Sequence, residues 1–390
     1  MITKVIGIGA AGNKAAINVV ENKIIDIDSV MLINSTLRDI PADYKGLKIE
    51  YNGSYGGCGK ERNIAFDLAM NNLKDGNIPL GEFLHLDDPE KKAELVVIVT
   101  STEGGTGSGS SVVIGKYIQQ VLGIQVHMFG FAGFQSDVRG LKNTVEWFQD
   151  LEDDFTVECI ENSKFLPECR DNKIKAEKAA NTEFGKKLSI LMGNPIRDSS
   201  HNIDKTDLLK VSTEKGFMFI ESANFEKIKN REQFESIVID MIDNTKSVDI
   251  SEITSRKIAV IINIAESATD YISYEDILNE RYGNPYEMFL HIQHESDMPE
   301  FIAIIVSGVK MPVEEVQKIH NEYKIRMSRV DRNSDSFFAA AKNLELDDDS
   351  DLSLKKTKET INANDFFGKM NAKKEETKAK AEVVDETSEY

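Results

Sequence analysis

Short apolar runs and helix-length amphipathic stretches alternate through the first third of the chain. The runs fall at residues 4–8 (KVIGI), 29–33 (SVMLI), 95–99 (LVVIV) and 125–131 (QVHMFGF), with helical patterns at 15–20 and 111–122. Continuous apolar runs predict strands buried on both faces, and helices between them predict a parallel sheet. Ligands of such sheets sit at the carboxyl ends of the strands. Residues 173–191 hold few breakers and many good helix formers, which predicts one long helix, stopped by GNP at 193–195. Further on, runs at 258–264 and 301–306 predict strands of a second sheet, and Pro312 opens a late helix over 313–327. The fold class expected is α/β: a parallel-sheet domain, a long central helix and a second α/β domain with a mixed sheet.

The pattern changes after about residue 341. Over residues 344–390 acids outnumber lysines thirteen to eight, and Phe366, Phe367 and Tyr390 are the aromatic residues. This composition predicts a flexible acidic tail, with local helix over 371–383.

Composition narrows the function classes. With 390 residues, 41% apolar and 29% charged, the chain can build two domains with a sizeable core. A formal net charge of −19 argues against broad contact with a nucleic-acid backbone, which needs local excess of Lys and Arg. No direct nucleic-acid binding is expected, and any DNA contact would run through a partner. No apolar run approaches the roughly eighteen residues that span a bilayer, and the first residues run into a Gly-rich segment instead of a secretory h-region. The expectation is a cytoplasmic protein without membrane attachment. Cys58, Cys159 and Cys169 lack CxxC spacing and matching histidines, so neither a disulfide framework nor a protein-held metal is expected.

The candidate chemistry lies in glycine. GGTGSG at 104–109 stands between an apolar strand and a helix. Bare backbone there lets N–H groups approach an anion closely, and the helix terminus adds a partial positive charge. A Walker A loop would need a lysine after these glycines, and none follows. GIGAAG at 7–12 also satisfies GxGxxG between a strand and a helix, which leaves a dinucleotide-dependent oxidoreductase as one alternative. Its ribose-binding acid would be Asp39, at a poor distance. One nucleotide gripped by two loops on neighbouring strands accounts for both glycine runs. A nucleotide-binding scaffold without catalysis is a further alternative.

These loops carry a family resemblance. GGTGSG looks like the tubulin signature loop, and VIGIGAAGN at 5–13 resembles the first nucleotide loop of the tubulin/FtsZ superfamily. Those proteins carry Asn-x-Asp-x-x-Asp after a long central helix, and this chain has NIDKTD at 202–207. Within the superfamily the chain resembles the TubZ branch of plasmids and phages. GCGKER at 57–62 is similar to the phosphate-sensing loop of its clostridial phage type, and NDFFGKM at 364–370 to a motif near the end of its tail. The likeness covers roughly residues 1–330, plus that tail fragment.

The resemblance implies a GTP-binding domain at 1–172, a central helix at 173–195, an activation domain at 196–330 and a helix extension with flexible tail at 331–390. It implies binding of GTP or GDP with Mg²⁺. Gly9, Ala10, Ala11, Gly12 and Asn13 would approach the diphosphate, with two alanines where FtsZ has glycines. Gly104, Gly105, Thr106, Gly107, Ser108 and Gly109 would wrap the phosphates. Gly57, Cys58, Gly59 and Lys60 would lie near the γ-phosphate, where Lys60 or Arg62 could neutralise charge. Asn162 and Asn181 match the asparagines that read guanine, an amide being both donor and acceptor; Glu177 stands where FtsZ stacks a phenylalanine. Asp137 and Arg139 lie where the family contacts ribose, at a different spacing.

Asp204, Asp207 and Asn202 would be catalytic, the carboxylates orienting and deprotonating water. In the family they act on the nucleotide of the neighbouring subunit. The same residues can also be read as a helix cap. His201 reads as a surface residue and Met218 as strand core. The implied function is a GTP-hydrolysing filament, assembled head to tail, that segregates plasmid or phage DNA, its tail contacting a TubR-like adaptor. A phage tubulin that positions replicating DNA is the neighbouring alternative.

Overall fold

The structure, a computed structural model, describes residues 1–54, 56–151, 155–197, 203–249 and 254–341, with Lys205 and residues 331–341 given by backbone alone. The predicted acidic tail and its helix at 371–383 lie outside the described residues. So do Asn202 and His201.

β1 (Thr3–Ile8) passes into α1 (Gly9–Glu21) with no residue between them. That turn needs the positive φ of 77° at Gly9, a conformation in which a side chain is strained. β2 (Val30–Asn34) and the half-exposed β3 (Leu47–Glu50) follow, then α2 (Arg62–Lys74) and the short α3 (Leu80–Phe83). β4 (Leu95–Ser101), α4 (Thr106–Lys116), β5 (Gln125–Ala132), α5 (Val138–Leu151) and β6 (Thr156–Glu161) complete the parallel part. The apolar pattern at 111–122 begins inside α4 and continues through a π-turn over Tyr117–Val121.

The long helix α6 (Lys173–Leu191) has the predicted bounds. Asn172 caps it by accepting from the Lys175 N–H at 3.0 Å, and Gly193, at φ 75°, reverses the chain after it. Then come α7 (Lys205–Ser212), β7 (Gly216–Phe225), α8 (Arg231–Asp243), β8 (Lys257–Asn263), α9 (Glu275–Tyr282), β9 (Glu287–Gln293), β10 (Glu300–Val309) and α10 (Val313–Ala341). The late helix therefore runs past residue 327.

The ten strands form one sheet in the order β3-β2-β1-β4-β5-β6-β7-β10-β8-β9. β10 is antiparallel to both β7 and β8, and the other described pairings are parallel. This corrects the expectation of a separate second sheet: β8 and β10 continue the first one. The join is narrow, because β6 and β7 pair only through Thr156 with Gly216 and Val157 with Phe217. Beyond them β7 pairs with β10.

Side-chain alternation divides the core between the two faces. Ile6 and Ile8 of β1 and Phe217 and Phe219 of β7 belong to one apolar layer, with Trp147 and Phe148 of α5. Val5, Met218 and Ile220 belong to the other, with Phe184 and Leu188 of α6. Met218 is fully buried, as read from the sequence. Each layer draws on both halves of the chain: α6 packs on α1, on β6 and β7, and on β5 through Phe184 against Phe129 and Phe131.

One charge is buried with it. Lys187 of α6 lies 2.7 Å from Glu158 on β6 and 3.1 Å from Glu221 on β7, and also donates to the Ile220 carbonyl and the Ser247 hydroxyl. Burial by itself lowers a lysine; the two carboxylates outweigh it and hold the Lys187 ammonium above the usual range. Burial pushes Glu158 up to about 7, against the pull of Lys187.

Candidate nucleotide-binding site

α1 and α4 both begin at the carboxyl ends of neighbouring strands, β1 and β4. Their amino ends converge so closely that a Cβ on Gly9 would lie 2.9 Å from the Gly107 nitrogen. Between them and the loop after β2 opens a cleft of about 520 Å³. That is the size of a small-ligand pocket, and the two helix amino ends at it suit an anion.

Gly9, Ala10, Ala11, Gly57, Cys58, Lys60, Gly104, Gly105, Thr106 and Gly107 line the cleft. The remaining loop residues sit behind it. A Cβ on Gly12 would lie 2.2 Å from the Val99 carbonyl oxygen, so Gly12 serves the seating of α1 on β4. Asn13 is buried and donates to the Ile33 carbonyl at 3.3 Å. Ser108 donates to the Gly104 carbonyl, and a Cβ on Gly109 would meet the Arg62 carbonyl at 2.4 Å. Gly59 turns the chain between Cys58 and Lys60 at φ 55°.

The two basic residues of the 57–62 loop part company. Lys60, in a left-handed conformation at φ 63°, faces the cleft and pairs with Asp137, whose carboxyl that bond holds below the usual range. Arg62 turns inward to Glu146 and Asp150 and donates to the Ser108 carbonyl at 2.9 Å. It fastens α2 to α5 and does not reach the cleft. Arg139 pairs with Glu61.

Of the loop after β2 the sequence points to Asp39 alone, as the ribose acid of the oxidoreductase alternative, yet Asn34, Ser35, Thr36 and Arg38 line the cleft beside it. Ser35 and Thr106 share a hydrogen bond between hydroxyls at 2.8 Å, and Thr36 caps a 3-10 turn by accepting from the Arg38 N–H. The signal available is NST at 34–36, polar residues directly after the apolar run 29–33, at the carboxyl end where ligands of a parallel sheet sit. Glu103 and Asn143, behind the glycine loop, carried no sequence signal. Burial raises the Glu103 carboxyl, although it accepts the Gln135 N–H at 2.6 Å.

Asn162 begins the 3-10 turn Asn162–Phe165 after β6. Its Oδ1 is buried with no partner among the described residues, an acceptor suited to a purine N–H. Asn181 is half-buried on α6, and Glu177 is exposed. None of the three lines the cleft.

Asp204 and Asp207 form a capping box on α7: Asp204 accepts from the Asp207 N–H at 2.8 Å and Asp207 from the Asp204 N–H at 3.4 Å. They lie far from the cleft. The amino end of α6 is tied by Lys173 to Ser136, just beyond the carboxyl end of β5. Its other end is tied by Asn194 to the Ile24 carbonyl, past the far end of α1. α7 packs at that far end, Leu208 Cδ1 lying 2.7 Å from where a Cβ on Gly193 would be. Nineteen helical residues separate the two ends by about 28 Å at 1.5 Å per residue.

A parallel half with two glycine loops meeting at one cleft, a long helix and a mixed continuation of the sheet define the tubulin/FtsZ superfamily fold, and this chain has it. It is similar to TubZ of Clostridium botulinum phage c-st, at 16% identity and a TM-score of 0.65, over 84% of this chain and 98% of that one. It is also similar to TubZ of Bacillus thuringiensis serovar israelensis in a GTPγS-form protofilament, at 15% identity and 0.68, over 88% and 94%. A GTPγS-bound protofilament of CetZ2 from Haloferax volcanii matches at 14% identity and 0.68, over 84% and 100%. No sequence-family model matches the chain. Among the described residues no helix is long and apolar enough to cross a membrane.

Proposed function

We propose that the protein is a GTPase of TubZ type that forms head-to-tail filaments and hydrolyses GTP where one chain meets the next. The observation that carries the reading is the separation just described. An anion cleft stands at one end of α6, and a carboxylate pair with the family's spacing at the other. No single chain can bring the two together. A neighbour stacked along α6 can, through a heterologous interface of the kind that builds filaments.

In that arrangement the amides of Gly104 to Gly107 and of Gly9 to Ala11 hold the phosphates, whose charge Mg²⁺ carried on their oxygens would offset. Asn162 and Asn181 recognise guanine. Asp204 and Asp207 of the neighbour, with its Asn202, orient water toward the γ-phosphorus. The water oxygen forms the new P–O bond, the bond to GDP breaks, and a carboxylate takes the proton. The fit of guanine rests on the unpartnered Oδ1 of Asn162.

The strand order β3-β2-β1-β4-β5-β6 is also that of dinucleotide-binding sheets. The second glycine loop crowding Gly9 favours the single-nucleotide reading. The experiment is GTP turnover per chain against protein concentration, with sedimentation in parallel. Turnover should rise steeply where pelletable polymer appears; a rate independent of concentration would overturn the shared site. The segregation role and the TubR-like adaptor rest on the sequence likeness of the tail, and deletion of 342–390 with a co-sedimentation assay tests both.

A further inference from the structure

Asn143 is an amide on the buried face of α5, 3% exposed, between Leu141 and Val145 of the packed core. Burying an amide there costs free energy unless its hydrogens find partners. Its Nδ2 lies within hydrogen-bond distance of three backbone carbonyls from both walls of the cleft: Lys60 at 3.0 Å, Glu103 at 3.0 Å and Gly104 at 3.3 Å. Two hydrogens serve three acceptors.

The direction of those carbonyls has a consequence for the cradle. In a trans peptide the C=O and the next N–H point opposite ways, and the described chain has no cis bond. With the Glu103 and Gly104 carbonyls drawn toward α5, the N–H groups of Gly104 and Gly105 point toward the cleft that these glycines line. The third bond clamps the 57–61 loop to the same point, where a Cβ on Gly105 would lie 2.8 Å from the Lys60 Cα.

We infer that Asn143 is a positioning residue for phosphate binding: it fixes the peptide planes of Gly104 and Gly105 with their N–H groups toward the anion and couples the two phosphate loops. This deepens the nucleotide reading and rests on it. Asn143 touches no ligand itself.

The test compares the affinity for GDP with that for GMP in the wild type, in Asn143→Asp and in Asn143→Leu. Asp is isosteric but offers only acceptors to the three carbonyls; Leu removes the donors without adding charge. A purely structural role would weaken both ligands alike. The positioning role predicts that GDP loses at least about tenfold in both variants, as expected for misaligned hydrogen bonds to a charged group, while GMP changes little. An unchanged GDP-to-GMP ratio overturns the inference and leaves the nucleotide reading standing; a wild type that binds neither ligand overturns both. If the variants fail to fold, ¹⁵N-glycine labelling of the wild type decides. The Gly104 and Gly105 amides should shift with GDP and not with GMP, and their silence toward GDP sinks the idea.

Discussion

Lys187 shows how little a residue's chemical role is written in its local sequence. It sits beside Lys186, which projects into solvent with a side chain 61% exposed, whereas Lys187 is 1% exposed. Nothing in KKLSIL separates the two until the helix face is known. Asn143 escaped for the same reason, since an amide in a helix reads as solvated until tertiary packing buries it. The glycines were legible because their function is backbone geometry, which short motifs record. Even so, Gly12 and Gly109 prove to serve close packing. The Glu158 carboxyl, held near 7 against an ordinary 4.5, makes a prediction at this scale. Between those values the folded chain keeps a proton that the unfolded chain releases, so the residue's contribution to stability is full below 4.5 and fades as pH rises through 7. Glu158→Gln should therefore gain melting temperature relative to wild type as pH is raised from about 5 to about 7. A constant difference across that range would show Glu158 ionised throughout.

At the scale of elements, the span of α6 is legible from its run of helix formers and the stop at Gly193, and the structure adds the Asn172 cap that fixes its start. The pairing of β8 and β10 with the first sheet could not, because an apolar run says that a strand is buried and leaves its neighbours open. The NIDKTD motif carries two readings, and α7 shows that the capping reading is real. Cap and catalysis can be separated. Asp204→Asn keeps a good N-cap and should stay within a few tenths of a kcal/mol of wild type, while Asp204→Ala should lose about 1 kcal/mol. Under the proposed mechanism both lose polymer-dependent GTP turnover. Chemical denaturation measures the first effect and phosphate release the second; an active Asp204→Asn would remove that carboxylate from the chemistry.

For the whole molecule, the sheet is continuous yet narrow between β6 and β7, and α6 with its buried Lys187 spans the join. The two ends of α6 carry different halves of the proposed site, which makes complementation possible. Asp204→Asn chains retain an intact cleft. Gly107→Ala chains retain their carboxylates but place a Cβ 2.2 Å from the buried Thr100 Oγ1, behind the glycine loop, so that the loop lining the cleft must shift. Each alone should be inactive, and an equimolar mixture should recover turnover at the contacts where an intact cleft meets an intact carboxylate pair. A mixture as inactive as its components would place both halves in one chain's own reach.

If chains stack as proposed, the same separation along α6 gives the row a memory. Every interior cleft would be faced by a neighbour's carboxylates, but the last cleft at one end by none. Nucleotide bound there would stay a triphosphate until another chain arrives, and the phosphate count along the row would then record the order in which its members joined.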